Sequence, residues 1–122
     1  MAVVLVAEDE FGMREGVVEA LAAAGHTTVE AANGEEAVAL LRQHPEIELL
    51  FADVHMPGAI DGVALAKIAQ RMRPDLRVLY ATSHVLELLR DRGPIDPGQI
   101  VRKPYLPGQV VAAAEWLLRQ PI

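Results

Sequence analysis

Short aliphatic runs alternate along this chain with longer stretches whose apolar residues recur at helical spacing. Val3–Ala7 is apolar enough for a strand buried on both faces, and it stops at Glu8-Asp9-Glu10. Met13, Val17, Leu21 and Ala24 then fall on one helix face, and Gly25 supplies a C-terminal stop. The β-branched Thr27–Ala31 predicts a second strand. Asn33, with Glu36 three residues on, predicts a capped helix that buries Ala37, Leu40 and Leu41 and ends near His44-Pro45. Leu49–Asp53 reads as a central strand delivering a carboxylate to its end, where Pro57-Gly58 breaks regular structure. Asp61 caps a third helix carrying Leu65, Ile68, Ala69 and Met72, with Pro74 after its end. Residues 77–80 predict strand four, followed by Ala81-Thr82-Ser83-His84 and a short helix through Leu86 and Leu89. After the Gly/Pro-rich loop 93–98, Ile100-Val101 makes a brief fifth strand cut off by Lys103-Pro104. Pro107 fits the first turn of a last helix with Val110, Ala114, Leu117 and Leu118.

Five strands alternating with five helices predict an α/β fold: a doubly wound parallel sheet covered on both faces. No repeat, low-complexity tract or linker divides it, so 122 residues read as a single domain, 1–122. A hydrophobic content of 52% is ample for one core. No apolar run is long enough to span a bilayer and no signal-peptide pattern opens the chain, so no membrane role is expected. Zero cysteines remove thiolate chemistry and suit a cytoplasmic location. The net charge of −6 argues against nucleic acid as a partner.

Parallel strands present their C-terminal ends at one edge of the sheet, where open α/β sheets place their ligands. Glu8, Asp9, Asp53, Thr82 and Lys103 should converge there. Clustered carboxylates repel one another unless a cation sits among them, and Mg²⁺ suits an all-oxygen site completed by water and phosphate. Zinc asks for His or Cys, and His26, His44, His55 and His84 show no ligand spacing. With a metal present, Asp53 becomes a candidate nucleophile toward a phosphoryl group. Lys103 would neutralise charge on the phosphoryl oxygens, and Thr82 would donate a hydrogen bond to one of them.

Val4–Glu10 as Val-Leu-Val-Ala-Glu-Asp-Glu, then Asp53-Val-His-Met-Pro-Gly58, Thr82 and Lys103-Pro104 together resemble the receiver domain of two-component response regulators, from Val3 to about Leu118. The resemblance implies a flavodoxin-like sheet of order 2-1-3-4-5, an order for which this family is itself a stock example. It implies Asp53 as phosphoacceptor and Asp9 as a direct metal ligand. Glu8 would act through water, and the backbone carbonyl of His55 would complete the Mg²⁺ site. Thr82 and Lys103 would sense the phosphoryl group, and Lys103-Pro104 would be cis. The donor would be a histidine kinase or histidine phosphotransfer protein, and the chain would promote its own phosphorylation and dephosphorylation rather than act as an enzyme. Ending with the fifth helix, it is expected to stand alone, relaying phosphate or binding a downstream protein through the face of helix four, strand five and helix five.

Some positions depart from the family pattern. Members that switch through an aromatic on strand five carry Tyr or Phe where this chain has Ile100, so a switch through Thr82, the following loop and Tyr105 is expected instead. The loop 57–62 is one residue longer than the common form. His55 and His84 flank the phosphoryl position and are candidates for tuning the lifetime of the acyl phosphate. Trp116 falls off the apolar stripe of the last helix near Val111 and Ala112, which makes it a candidate partner or homodimer contact. Competing readings are an Asp-nucleophile phosphatase, disfavoured by His55 where a second acid belongs, and an unphosphorylated receiver-like scaffold. A flavin-nucleotide binder is disfavoured because Glu8-Asp9-Glu10 would repel phosphate.

Overall fold

A computed structural model describes residues 1–121. Strands β1 (Val3–Ala7), β2 (Thr27–Ala31), β3 (Leu49–Asp53), β4 (Arg77–Thr82) and β5 (Ile100–Arg102) alternate with helices α1 (Phe11–Ala23), α2 (Gly34–Gln43), α3 (Gly62–Met72), α4 (Val85–Arg92) and α5 (Pro107–Arg119). All strand pairs are parallel, in the order β2-β1-β3-β4-β5, as the resemblance implied. Strand four runs two residues further than its apolar pattern predicted, so Thr82 ends the strand rather than following it.

The period-two alternation of strand side chains divides the core. Leu5, Ala7, Leu50, Ala52, Val78 and Tyr80 face α2, α3 and α4. Val4, Val6, Leu49, Phe51, Leu79 and Ala81 face α1 and α5, meeting Val17, Leu21, Val110, Ala114 and Leu117. Every residue of β3 is buried, the expected state of a central strand covered on both sides.

The helix ends differ in detail from the sequence reading. Asn33 Oδ1 accepts from Glu36 N at 2.8 Å, but the Glu36 carboxylate reaches the amide of Ala32 rather than that of Asn33. Asp61 caps α3 through Ala64 N, at 2.9 Å, as expected. The α1 N-cap is Glu10, whose carboxylate accepts from Gly12 N and Met13 N. Ala24 lies on the exposed side at the α1 C-terminus, where Gly25 turns the chain at φ +93°. Helix α4 buries Leu88, not Leu86, which stays 81% exposed. Met72 keeps 37% of its surface exposed; Val63 and Ala66 take its expected share of the α3 core face. No helix among the described residues is long and apolar enough to cross a membrane.

Candidate functional site

Register and alternation together assemble one rim of the sheet. Ala7 pairs with Ala52, so Glu8 emerges beside Asp53; Thr82 pairs with Arg102, so Lys103 emerges one residue beyond. Glu8 continues the stripe of Val4 and Val6, Asp53 that of Leu49 and Phe51, and Lys103 that of Val101. Three apolar stripes thus end in two acids and a lysine on the same face. Lys103 Nζ lies 2.9 Å from Asp53 Oδ2 and 3.6 Å from Glu8 Oε1. Asp53 Oδ1 accepts from His55 N at 3.2 Å, which fixes the carboxylate's second oxygen. Glu8 and Asp53 are buried, whereas Asp9 is exposed.

Glu8 carries the clearest electrostatic signature. Its Oε2 accepts from Glu10 N at 3.0 Å, but its buried Oε1 has no hydrogen-bond partner among the described residues. Burial, with the Asp53 charge behind it, raises the Glu8 carboxyl to about 7 despite the amide of Glu10 and the Lys103 charge. Carboxylate oxygens of Glu8, Asp9 and Asp53 lie within 4.8 Å of one another. An orphaned buried oxygen in an all-oxygen cluster fits a hard dication, so the residues present fit Mg²⁺. Burial alone would lower the Lys103 ammonium, yet the hydrogen bond and charge of Asp53, with Glu8 behind them, outweigh it and hold the ammonium above its ordinary value.

Thr82 sits on the opposite stripe, after Val78 and Tyr80, and its Oγ1 accepts from His84 N at 2.9 Å. The Lys103 amide donates to the Thr82 carbonyl at 2.9 Å, so the two residues are tied through backbone. The Lys103-Pro104 peptide is cis. Tyr105 packs edge-on to Phe51 with ring centroids 6.0 Å apart, and its hydroxyl is buried without a partner among the described residues. Burial and then the charges of Glu8, Asp53 and Glu10 push its phenol up. Ile100 lies on the α4 side, lining an open hollow with Val85, Leu89, Ile95, Pro97 and Arg102. Trp116 packs its ring against Gly98, leaving 37% of the residue exposed. The three candidate contact residues therefore sit apart, on the α4–β5 side, the α1/α5 side and over the loop before β5.

Three contributions were not read from the sequence. Glu10 caps α1 with its carboxylate while its amide holds Glu8; within the acid run the sequence pattern gives Glu10 no role beyond its charge. Arg92 Nε donates to the buried Tyr80 hydroxyl at 3.1 Å, tying α4 to the sheet. His55 and His84, which showed no ligand spacing, are brought together at 5.6 Å between ring centroids, with Glu87 beside them. The sequence places both at the flanks of the phosphoryl position but does not group them with Glu87, because a spacing rule registers only ligands carried on one local segment.

The fold and this rim define a class of small α/β domains with an acid cluster, an Asp and a Lys at the ends of parallel strands. The profile of the response regulator receiver domain matches residues 4–115, and the chain belongs to that family. The response regulator receiver protein CpdR of Brucella abortus is 33% identical over 103 residues, covering 84% of each chain. The sensor kinase CckA of the same organism is 32% identical over 96 residues, which are 78% of this chain and 10% of that protein. The chain spans about half, 48%, of the Escherichia coli transcriptional regulatory protein BaeR, at 29% identity over 96% of its own length. Among solved structures, the receiver domain of NtrX from Brucella abortus superposes with a TM-score of 0.84 at 26% identity, covering 97% of this chain and 99% of that one. The chemotaxis protein CheY4 of Vibrio cholerae gives 0.81 at 23% identity over 96% and 98%, a likeness of fold.

Proposed function

We propose that this domain accepts a phosphoryl group on Asp53 from a phosphohistidine of a histidine kinase or phosphotransfer protein, in the cytoplasm. A carboxylate oxygen of Asp53 attacks phosphorus as the P–N bond breaks, leaving an acyl phosphate and an imidazole that regains its proton from solvent. Glu8, Asp9, Asp53 and the His55 backbone carbonyl would hold Mg²⁺, which when bound neutralises charge on the phosphoryl oxygens. Lys103, already paired with Asp53, follows the charge onto the phosphoryl group. Thr82 turns its hydroxyl toward the same group, which requires it to release His84 N and so loosens the start of α4. His55 and His84 stand at the edge of the site and control how quickly water reaches the acyl phosphate. The chain turns over no external substrate; phosphorylation alters how the face of α4, β5 and α5 binds a downstream protein, or phosphate is relayed onward.

The Lys103–Asp53 pair beside the orphaned oxygen of buried Glu8 supports this reading most directly. Two acids and a lysine at the ends of apolar strands leave the fold with a cost that only a bound cation and anion would relieve. Incubation with Mg²⁺ and a small acyl-phosphate donor, followed by intact mass, tests it. One phosphoryl group should be gained, absent in Asp53→Asn and in EDTA. Equal gain in the Asp53→Asn variant would overturn the assignment. The lifetime role is checked by the decay of the phosphorylated His55→Ala variant, where an unchanged half-life removes that residue from it.

A further inference from the structure

We infer that His55, His84 and Glu87 form a second metal site, for a borderline transition dication of the Zn²⁺ type, that pins the start of α4 to the loop after Asp53. One ligand atom from each of the three lies within 4.8 Å of the others. His55 Nε2 and Glu87 Oε1 are 3.5 Å apart, close to the roughly 3.3 Å between ligand atoms about 2 Å from a tetrahedral ion. The two imidazoles meet edge to face at 86°, so neither ring stacks over the other and small side-chain rotations bring both nitrogens to a shared ion. Ser83 Oγ lies 3.1 Å from His84 Nδ1; an Nδ1–H donated to it leaves the Nε2 lone pair free, the outer-shell arrangement that orients metal-binding histidines.

The donor set separates this site from the acid cluster. Two imidazole nitrogens and one carboxylate prefer Zn²⁺ and its transition-metal neighbours, whereas Glu8, Asp9 and Asp53 offer oxygen alone and suit Mg²⁺. His84 is the N-cap of α4 and Glu87 stands three residues on, in its first turn. His55 reaches them from the β3–α3 loop. With side-chain exposures of 51% for His55 and 38% for Glu87, the site is open to an entering ion and leaves coordination positions for water. A bound ion would therefore cross-link the loop that follows the phosphoacceptor to a helix whose N-cap amide, that of His84, is held by Thr82. It would oppose the loosening of α4 that phosphorylation requires.

Zn²⁺ is titrated by calorimetry into the full chain in excess Mg²⁺, and Co²⁺ is used as a spectroscopic probe. One equivalent should bind, with visible Co²⁺ bands of nitrogen–oxygen coordination. Affinity should fall at least tenfold in His84→Ala and in Glu87→Gln, and persist in Asp53→Asn and in His44→Ala. Far-UV circular dichroism of each variant shows that it is folded, and Glu87→Gln keeps the helix start intact. Hydrogen exchange of the α4 amides should slow in Zn²⁺ for the parent chain, Asp53→Asn and His44→Ala, and not for His84→Ala or Glu87→Gln. Binding that survives both His84→Ala and Glu87→Gln, or that is lost in Asp53→Asn, overturns the site; binding without slower exchange overturns the clamp. Phosphoryl gain at Asp53 in Mg²⁺ is scored separately by mass, so failure here is distinguishable from failure of the phosphoacceptor reading.

Discussion

A carboxyl that is buried, lacks a hydrogen bond to one oxygen among the described residues and faces a second acid is poorly placed for stability, and Glu8 is in that position. Its ordinary value of 4.5 stands for the unfolded chain, and in the fold it rises to about 7. Between these values the folded chain holds the Glu8 proton more tightly than the unfolded one, so Glu8's contribution to stability falls as pH rises. In EDTA, the urea midpoint should therefore drop from pH 4.5 to 7 and level off above, and Glu8→Gln should flatten that slope. Adding Mg²⁺ should restore the midpoint at high pH for the parent chain more than for Glu8→Gln. The charged Lys103 ammonium, by contrast, stabilises the fold, and because it too is held above its ordinary value that stability is lost only as pH rises past 10.5. Lys103→Met strands Asp53 and Glu8 together and should cost about 2 kcal/mol in urea unfolding at pH 8 without Mg²⁺. That is below the usual cost of breaking a fully buried pair because the Lys103 side chain keeps 21% of its exposure.

Two glycines set how closely elements pack, Gly62 at the site and Gly98 away from it. A Cβ on Gly62 would run into the Asp53 carbonyl and the Val54 backbone, so α3 can start directly against the end of β3 only without a side chain there. Gly62→Ala should force α3 away from β3 and cost about 2 kcal/mol in thermal or urea unfolding, with weaker Mg²⁺ binding as the Asp53 end shifts. Gly98 performs a similar service in the 3-10 turn Pro97–Gln99, where a Cβ would meet the Trp116 ring. As this is the chain's single tryptophan, Gly98→Ala should move the protein's emission to longer wavelength as the ring is displaced into water.

Across the molecule, α4 is the most weakly anchored helix. It is eight residues long, buries Leu88 alone and has no side-chain hydrogen bond at its N-cap. By contrast, α3 buries five residues and is capped by Asp61. Low burial lowers the free energy of local opening. Amides of α4 should thus exchange fastest among the five helices, and Tyr80→Phe, which removes the acceptor of Arg92, should speed them further. The hollow lined by Ile100 borders this helix. A partner docking there would meet the helix that buries the fewest residues of the five.

Apolar periodicity, acting over neighbouring residues, was enough for the order of the ten strands and helices and for the gathering of Glu8, Asp9, Asp53 and Lys103 at one rim, because parallel strands share an end. The family pattern, rather than periodicity, carried the sheet order 2-1-3-4-5. Where two faces of one helix are both apolar, as with Leu86 and Leu88, only the packed neighbours chose which was buried. The orphaned Glu8 oxygen, the Arg92–Tyr80 tie and the meeting of His55 with His84 and Glu87 are likewise products of tertiary packing. Local pattern records what each segment prefers; distances between side chains on different segments exist only once the sheet has closed its register and the helices have settled on it.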